Sequence, residues 1–135
     1  MDQNQIDMLI AAATEVRKRA HAPYSGYRVG AAVLAADGRV FTGCNVENAS
    51  YGLSVCAERN AVGAAVAAGC ETLAGIAVVT GSTPPASPCG ACRQVLAEFG
   101  DFPVILAGLD GDRQRTTVRR LLPDAFLPSV LLEGP

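Results

Sequence analysis

Two short segments of this sequence carry residue types that do chemistry: Cys56-Ala57-Glu58-Arg59 and Pro88-Cys89-Gly90-Ala91-Cys92. Two cysteines three apart at a helix start serve three kinds of protein: a dithiol oxidoreductase, a structural zinc module and an enzyme that holds a reactive metal. The chain has five cysteines, Cys44, Cys56, Cys70, Cys89 and Cys92, an odd number. Its polar start, Met1-Asp2-Gln3-Asn4-Gln5, reads as no export signal,. A disulfide framework is therefore disfavoured, metal binding or catalysis gains weight, and the expected location is cytoplasmic.

Cys89 and Cys92, one helical turn apart, can face a single ion, and a third ligand must come from elsewhere. Cys56 opens another helix that reads as buried. Two helix N-termini converging on one metal would favour thiolate over thiol. Three thiolates on Zn²⁺ still leave a net negative charge, and Arg59 is the nearest cation in sequence that could offset it. Glu58 by itself reads better as a first-turn carboxylate complementing the helix dipole, and only beside the Pro-Cys-x-x-Cys motif does the catalytic reading prevail. Positions two apart on a regular helix point to roughly opposite sides, so Glu58 and Cys56 can share a site only if Cys56 is a cap outside the regular helix. Cys56-x-Glu58 with Pro88-Cys89-x-x-Cys92 then fills the H-x-E…P-C-x-x-C pattern of zinc nucleobase deaminases in its all-cysteine variant, in which the glutamate is the general acid/base.

The elements that position these residues follow from periodicity. Residues 4–20 space apolar groups as one helix face, from Ile6 and Leu9 to Ala20,. HAPYSGY is a loop. Val29–Ala35 and Arg39–Cys44 flank Asp37-Gly38 as an antiparallel hairpin. After the irregular NVENASYGLSV come a helix over Cys56–Ala68, a strand over Leu73–Thr80, the loop GSTPPASP, a helix over Cys89–Phe99 and a strand over Val104–Ala107. Asp110-Gly111 turns the chain back into a fifth strand near Arg115–Val118. That connection is too short for a parallel crossover, so the last strand is expected antiparallel. A short helix or turn follows at Val118–Leu122, and the tail reads as irregular. The pattern is one α/β domain over residues 1–135 with a five-stranded mixed sheet.

The chain is 50% hydrophobic, which argues against disorder, and no apolar run is long enough to span a bilayer,. Net charge is −2, and only Arg17-Lys18-Arg19 and Arg113–Arg120 are locally basic, so neither a nucleic-acid nor a membrane partner is expected,. Cys44 and Cys70 read as small buried hydrophobes, and His21 as a loop-surface residue.

In APYSGYRVGAA, GCNVENASYGLSVCAER, SPCGACRQVL and LLPDAF the sequence resembles, over nearly its whole length, the small homotetrameric type of cytidine deaminase. The resemblance implies a three-layer α/β/α fold and one Zn²⁺ per chain held by Cys56, Cys89 and Cys92. Glu58 would shuttle protons as zinc-bound hydroxide attacks C4, turning cytidine or deoxycytidine into uridine or deoxyuridine plus ammonia, a reaction of pyrimidine salvage. Arg59 would offset thiolate charge. Asn45 and Glu47 would hydrogen-bond the ribose, with Tyr27 and Ala57 also binding substrate. Phe126 would close a neighbouring subunit's pocket in a homotetramer, with Ala49 and Tyr51 at the subunit boundary. Tyr27 stands where the family usually has phenylalanine, and its hydroxyl needs a partner.

An aminonucleoside deaminase of the blasticidin S type shares the zinc motifs, but the intact NVENASYG segment favours cytidine deaminase. Deaminases of free cytosine, deoxycytidylate or tRNA bases usually place histidine where Cys56 stands. A dithiol redox protein leaves Cys56, Glu58 and NVEN unexplained. A structural zinc module needs a fourth protein ligand, and none is evident.

Overall fold

The computed structural model describes residues 1–133. Five strands form a single mixed sheet in the order β2-β1-β3-β4-β5: β1 is Val29–Ala35, β2 Val40–Cys44, β3 Leu73–Thr80, β4 Pro103–Ala107 and β5 Arg113–Thr117. The hairpin partner β2 and the neighbour β3 both run antiparallel to β1. β4 runs parallel to β3, and β5 returns antiparallel to β4.

Side chains alternate between two buried faces, because successive residues of a strand point to opposite sides. Ala31, Val33, Ile76, Val78, Val104 and Leu106 enter one core, which also takes Ala57, Ala61, Ala65 and Leu96 from helices α2 (Ala57–Ala67) and α3 (Gly90–Glu98). Ala32, Leu34, Ala77, Val79, Ile105 and Ala107 enter the other, packed by Ile6, Leu9 and Ala13 of α1 (Gln3–Arg17). The result is three layers, helix, sheet and helix. The central strands are buried on both faces and therefore read as nearly continuous apolar runs.

Two glycines set how closely the layers approach. A Cβ at Gly30 would lie 1.9 Å from the Ala13 carbonyl oxygen of α1. A Cβ at Gly43 would lie 2.4 Å from the Ala61 nitrogen and 2.6 Å from the Ala57 oxygen of α2. Both helices rest on the sheet backbone to backbone.

α1 starts at Asp2, which forms a capping box with Gln5,. It ends at Arg17, three residues before the end expected from periodicity. The backbone of His21 pairs instead with Asn45 and Glu47 (3.0 and 2.8 Å), and this pulls the chain out of helical geometry. The tail is not wholly irregular: Pro128–Leu132 forms a short helix, α5, with Pro128 at the first position, where a missing N–H does no harm,. Between them Val118–Leu121 is α4, capped by Thr117. Among the described residues, no helix is long and apolar enough to cross a membrane.

Candidate metal and substrate site

The site lies beyond the carboxyl end of β3, where the N-termini of α2 and α3 meet. Cys56 is the N-cap of α2, with extended backbone (φ −70°, ψ 154°), and Cys89 is the N-cap of α3 (φ −65°, ψ 167°). Because Cys56 stands outside the regular helix, it and Glu58 can serve one site despite their spacing. Cys92, within the first turn of α3, is fully buried.

The three sulfurs lie within 4.8 Å of one another, with Cys56 Sγ 3.8 Å from Cys89 Sγ. Thiolates about 2.3 Å from a zinc ion at tetrahedral angles sit roughly 3.8 Å apart. The donor set therefore fits Zn²⁺, and three protein ligands leave one coordination position for a reactant.

Charge within the cluster is strongly unequal. The Cys56 pKa falls to about 5 because the Cys92 thiol donates to it and Arg59 and Cys89 add further support. That thiolate in turn holds the Cys92 proton, and burial and the nearby Glu58 charge push the Cys92 pKa up further. A divalent metal cation would favour release of the Cys92 proton,. Arg59 contributes Nη2, 3.8 Å from Cys56 Sγ and 3.3 Å from the Ser54 carbonyl oxygen, while its buried Nε has no partner among the described residues. The location suits an offset to thiolate charge.

Glu58 is 5% exposed. Burial first, and then the Cys56 thiolate, raise its pKa above the ordinary carboxylate range. A carboxyl group with a raised pKa holds a proton more readily than an ordinary carboxylate, which suits a general acid/base.

Cys56, Cys89 and Glu58 border a cavity of about 240 Å³, which also touches Tyr27, Val29, Asn45, Ala57, Val78, Thr80, Ala86 and Ser87. The structure thus gathers Tyr27, Asn45, Cys56, Ala57, Glu58 and Cys89 around one space. Asn45 accepts from the Val29 amide (2.8 Å) and donates to the Tyr27 carbonyl (2.7 Å). One N–H and one lone pair remain for a ligand.

Glu47 is half-buried rather than fully buried and does not border the cavity. Its carboxylate accepts from the Tyr24 and Ser25 amides (3.0 and 3.1 Å) and from the Ser25 hydroxyl. These bonds, the Ser25 hydroxyl first, hold its pKa below the usual value. Spare lone pairs remain on Oε2.

Phe126, Ala49 and Tyr51 lie outside the cavity. Phe126 is 57% exposed and Tyr51 75%, and Tyr51 meets Tyr24 edge to face with centroids 5.9 Å apart. Sequence reasoning missed the cavity-lining residues Val29, Val78, Thr80, Ala86 and Ser87. The signal available for Thr80 was a polar residue closing an apolar strand, and its buried hydroxyl accepts from the Ser82 and Ala86 amides.

His21 is exposed, as expected. Cys70 is buried but is more than a small hydrophobe, because its sulfur contacts the Arg39 guanidinium at 2.7 Å and the Asp37 carboxylate at 3.6 Å. Cys44 is only half-buried.

Residues 3–107 match the family described as the cytidine and deoxycytidylate deaminase zinc-binding region. Cytidine deaminase of Sporosarcina psychrophila is 50% identical over 123 residues, 90% of each chain. That of Halalkalibacterium halodurans is 51% identical over 121 residues, 88% of this chain and 92% of the other. A crystal structure of cytidine deaminase from Burkholderia pseudomallei has a TM-score of 0.87 at 51% identity, spanning 93% of this chain and all of that one. With three sulfurs spaced for zinc, a buried glutamate beside them and this likeness along most of its length, the chain belongs to the cytidine and deoxycytidylate deaminase family.

Proposed function

We propose that this protein hydrolyses the exocyclic amine of cytidine and deoxycytidine, giving uridine or deoxyuridine and ammonia. The observation that carries the reading is the buried Glu58 carboxyl in a cavity bordered by Cys56 and Cys89 of the three-sulfur cluster. Zinc, when bound by Cys56, Cys89 and Cys92, supplies Lewis acidity that makes a water nucleophilic near neutral pH. The remaining work falls to protein side chains. Glu58 takes a proton from the attacking water and delivers it to N3 of the pyrimidine. As C4 gains the new oxygen and loses its amine, Glu58 transfers a second proton so that the nitrogen leaves as ammonia. One water is consumed and no redox partner is needed.

Arg59, reaching towards Cys56, offsets the negative charge of three thiolates, which would otherwise blunt the metal's acidity. Asn45 and Glu47 bind the ribose hydroxyls with their unused hydrogen-bonding capacity. A polar group built to meet a hydroxyl discriminates against ligands that lack one, so free cytosine is a poor substrate. Tyr27 and Ala57 line the base and sugar space.

The same reading makes the enzyme a homotetramer in which Phe126 closes a neighbour's pocket and Ala49 and Tyr51 lie at the boundary. The exposure of Phe126 and Tyr51 supports it. A cytoplasmic setting follows because three metal-binding thiolates need reducing surroundings.

The test is ammonia release by zinc-loaded protein from cytidine and deoxycytidine, with cytosine and blasticidin S in parallel. Release from the two nucleosides and not from cytosine is expected. No release from either, with zinc shown to be bound, overturns the proposal.

A further inference from the structure

The Tyr27 hydroxyl does not face the cavity unpaired. It shares a 2.6 Å hydrogen bond with Ser82 Oγ, across 55 residues of sequence. The backbone of Tyr27 is held at both ends, its N–H donating to Ser25 Oγ (3.0 Å) and its carbonyl accepting from Asn45 Nδ2 (2.7 Å). The residue, 43% exposed, borders the cavity.

Ser82 belongs to the loop between β3 and α3. That loop is anchored by buried Thr80, which accepts from the Ser82 and Ala86 amides at 3.3 and 3.4 Å, and by Thr83, which donates to Asp110 at 3.4 Å. Further on it supplies Ala86, Ser87 and Cys89 to the cavity wall. The hydroxyl pair therefore joins two loops that both contribute to the cavity wall.

We propose that Ser82 is a positioning residue for the nucleoside pocket: by tethering the Tyr27 hydroxyl, it holds that ring as a fixed wall and so sets the affinity for substrate. The inference rests on the deamination reading above. A ring carrying a free hydroxyl there would sample poses in which the wall is open, and affinity falls by the fraction of time the pocket is incompetent. One neutral hydrogen bond corresponds to about a two- to tenfold effect. The tether touches no reacting atom, so the change falls on KM and leaves kcat within about twofold of the parent, a split that follows from loss of uniform binding.

The experiment compares cytidine kinetics of the parent, Tyr27→Phe, Ser82→Ala and the double variant, with Ser82→Thr as the variant that keeps the oxygen. KM is expected to rise by about two- to tenfold in each single variant and no further in the double, and to return close to the parental value in Ser82→Thr. An unchanged KM in Ser82→Ala, or a double variant whose KM change is the product of the two single changes, overturns the tether. A parent inactive on cytidine sinks the deamination reading instead, whereas an active parent with indifferent variants sinks only this inference.

Discussion

Gly43→Ala tests whether backbone contact between β2 and α2 sets the catalytic geometry. The added carbon would sit 2.4 Å from the Ala61 nitrogen, 2.6 Å from the Ala57 oxygen and 2.8 Å from the Asn60 carbonyl carbon, against ordinary contact at 3.4–4 Å. All three are backbone atoms, so no side chain can swing away. Relief requires α2 to move off the sheet by about 1 Å, and Cys56 and Glu58 travel with it while Cys89 and Cys92 stay on α3. Overpacking of this kind costs about 1–3 kcal/mol, which a well-folded domain survives. A misplacement of about 1 Å at reacting groups lowers turnover by roughly a hundredfold. The assay is kcat/KM for cytidine alongside Tm and zinc content. Gly63→Ala, on the same helix but with nothing within 4 Å of the new carbon, serves as the control and keeps its activity. A Gly43→Ala protein with parental Tm and kcat/KM within about twofold of the parent would refute the reasoning.

Other perturbations give separate readouts. Glu58→Gln should lower kcat by about 10²–10⁴-fold, the usual contribution of a general acid/base, while zinc stays bound and Tm does not fall, since a buried ionisable carboxyl is replaced by a neutral isostere; an active variant sinks the mechanism. Cys92→Ser or exhaustive chelation should remove zinc and turnover together and lower Tm, because metal that binds only the folded chain stabilises it; full activity after metal-free status is verified would contradict the ligand assignment. Acid should destabilise the fold through Asp7 and Asp37. Their folded pKa values lie below 3.8, Asp7 chiefly through its Arg113 hydrogen bond and Asp37 through the Arg39 backbone N–H. Depressed carboxylates stabilise the fold above the unfolded pKa, and that contribution is lost as pH falls through the folded value. Tm should therefore drop below about pH 4, and Asp7→Asn should flatten the drop; an unaltered profile would show that the Asp7–Arg113 contact contributes nothing.

The local code of this chain is unusually complete. Cys56-x-Glu58 and Pro88-Cys89-x-x-Cys92 are short-range patterns whose meaning depends on where a helix begins, so the candidate ligands and the candidate acid/base stood out in one dimension, as did the hairpin at Asp37-Gly38. Only the tertiary structure decided the rest. Whether Cys56 and Cys89 share an ion depends on two helices resting on one sheet face at a spacing set by Gly43, which no local pattern encodes. The end of α1 was misread because His21 finds its backbone partners at Asn45 and Glu47, far along the chain. For the same reason Glu47 is committed to the Ser25 loop, and Tyr27 pairs with Ser82, 55 residues along the chain. Propensity and spacing act over a few residues, whereas hydrogen-bond satisfaction and close packing join residues that only the folded chain brings together.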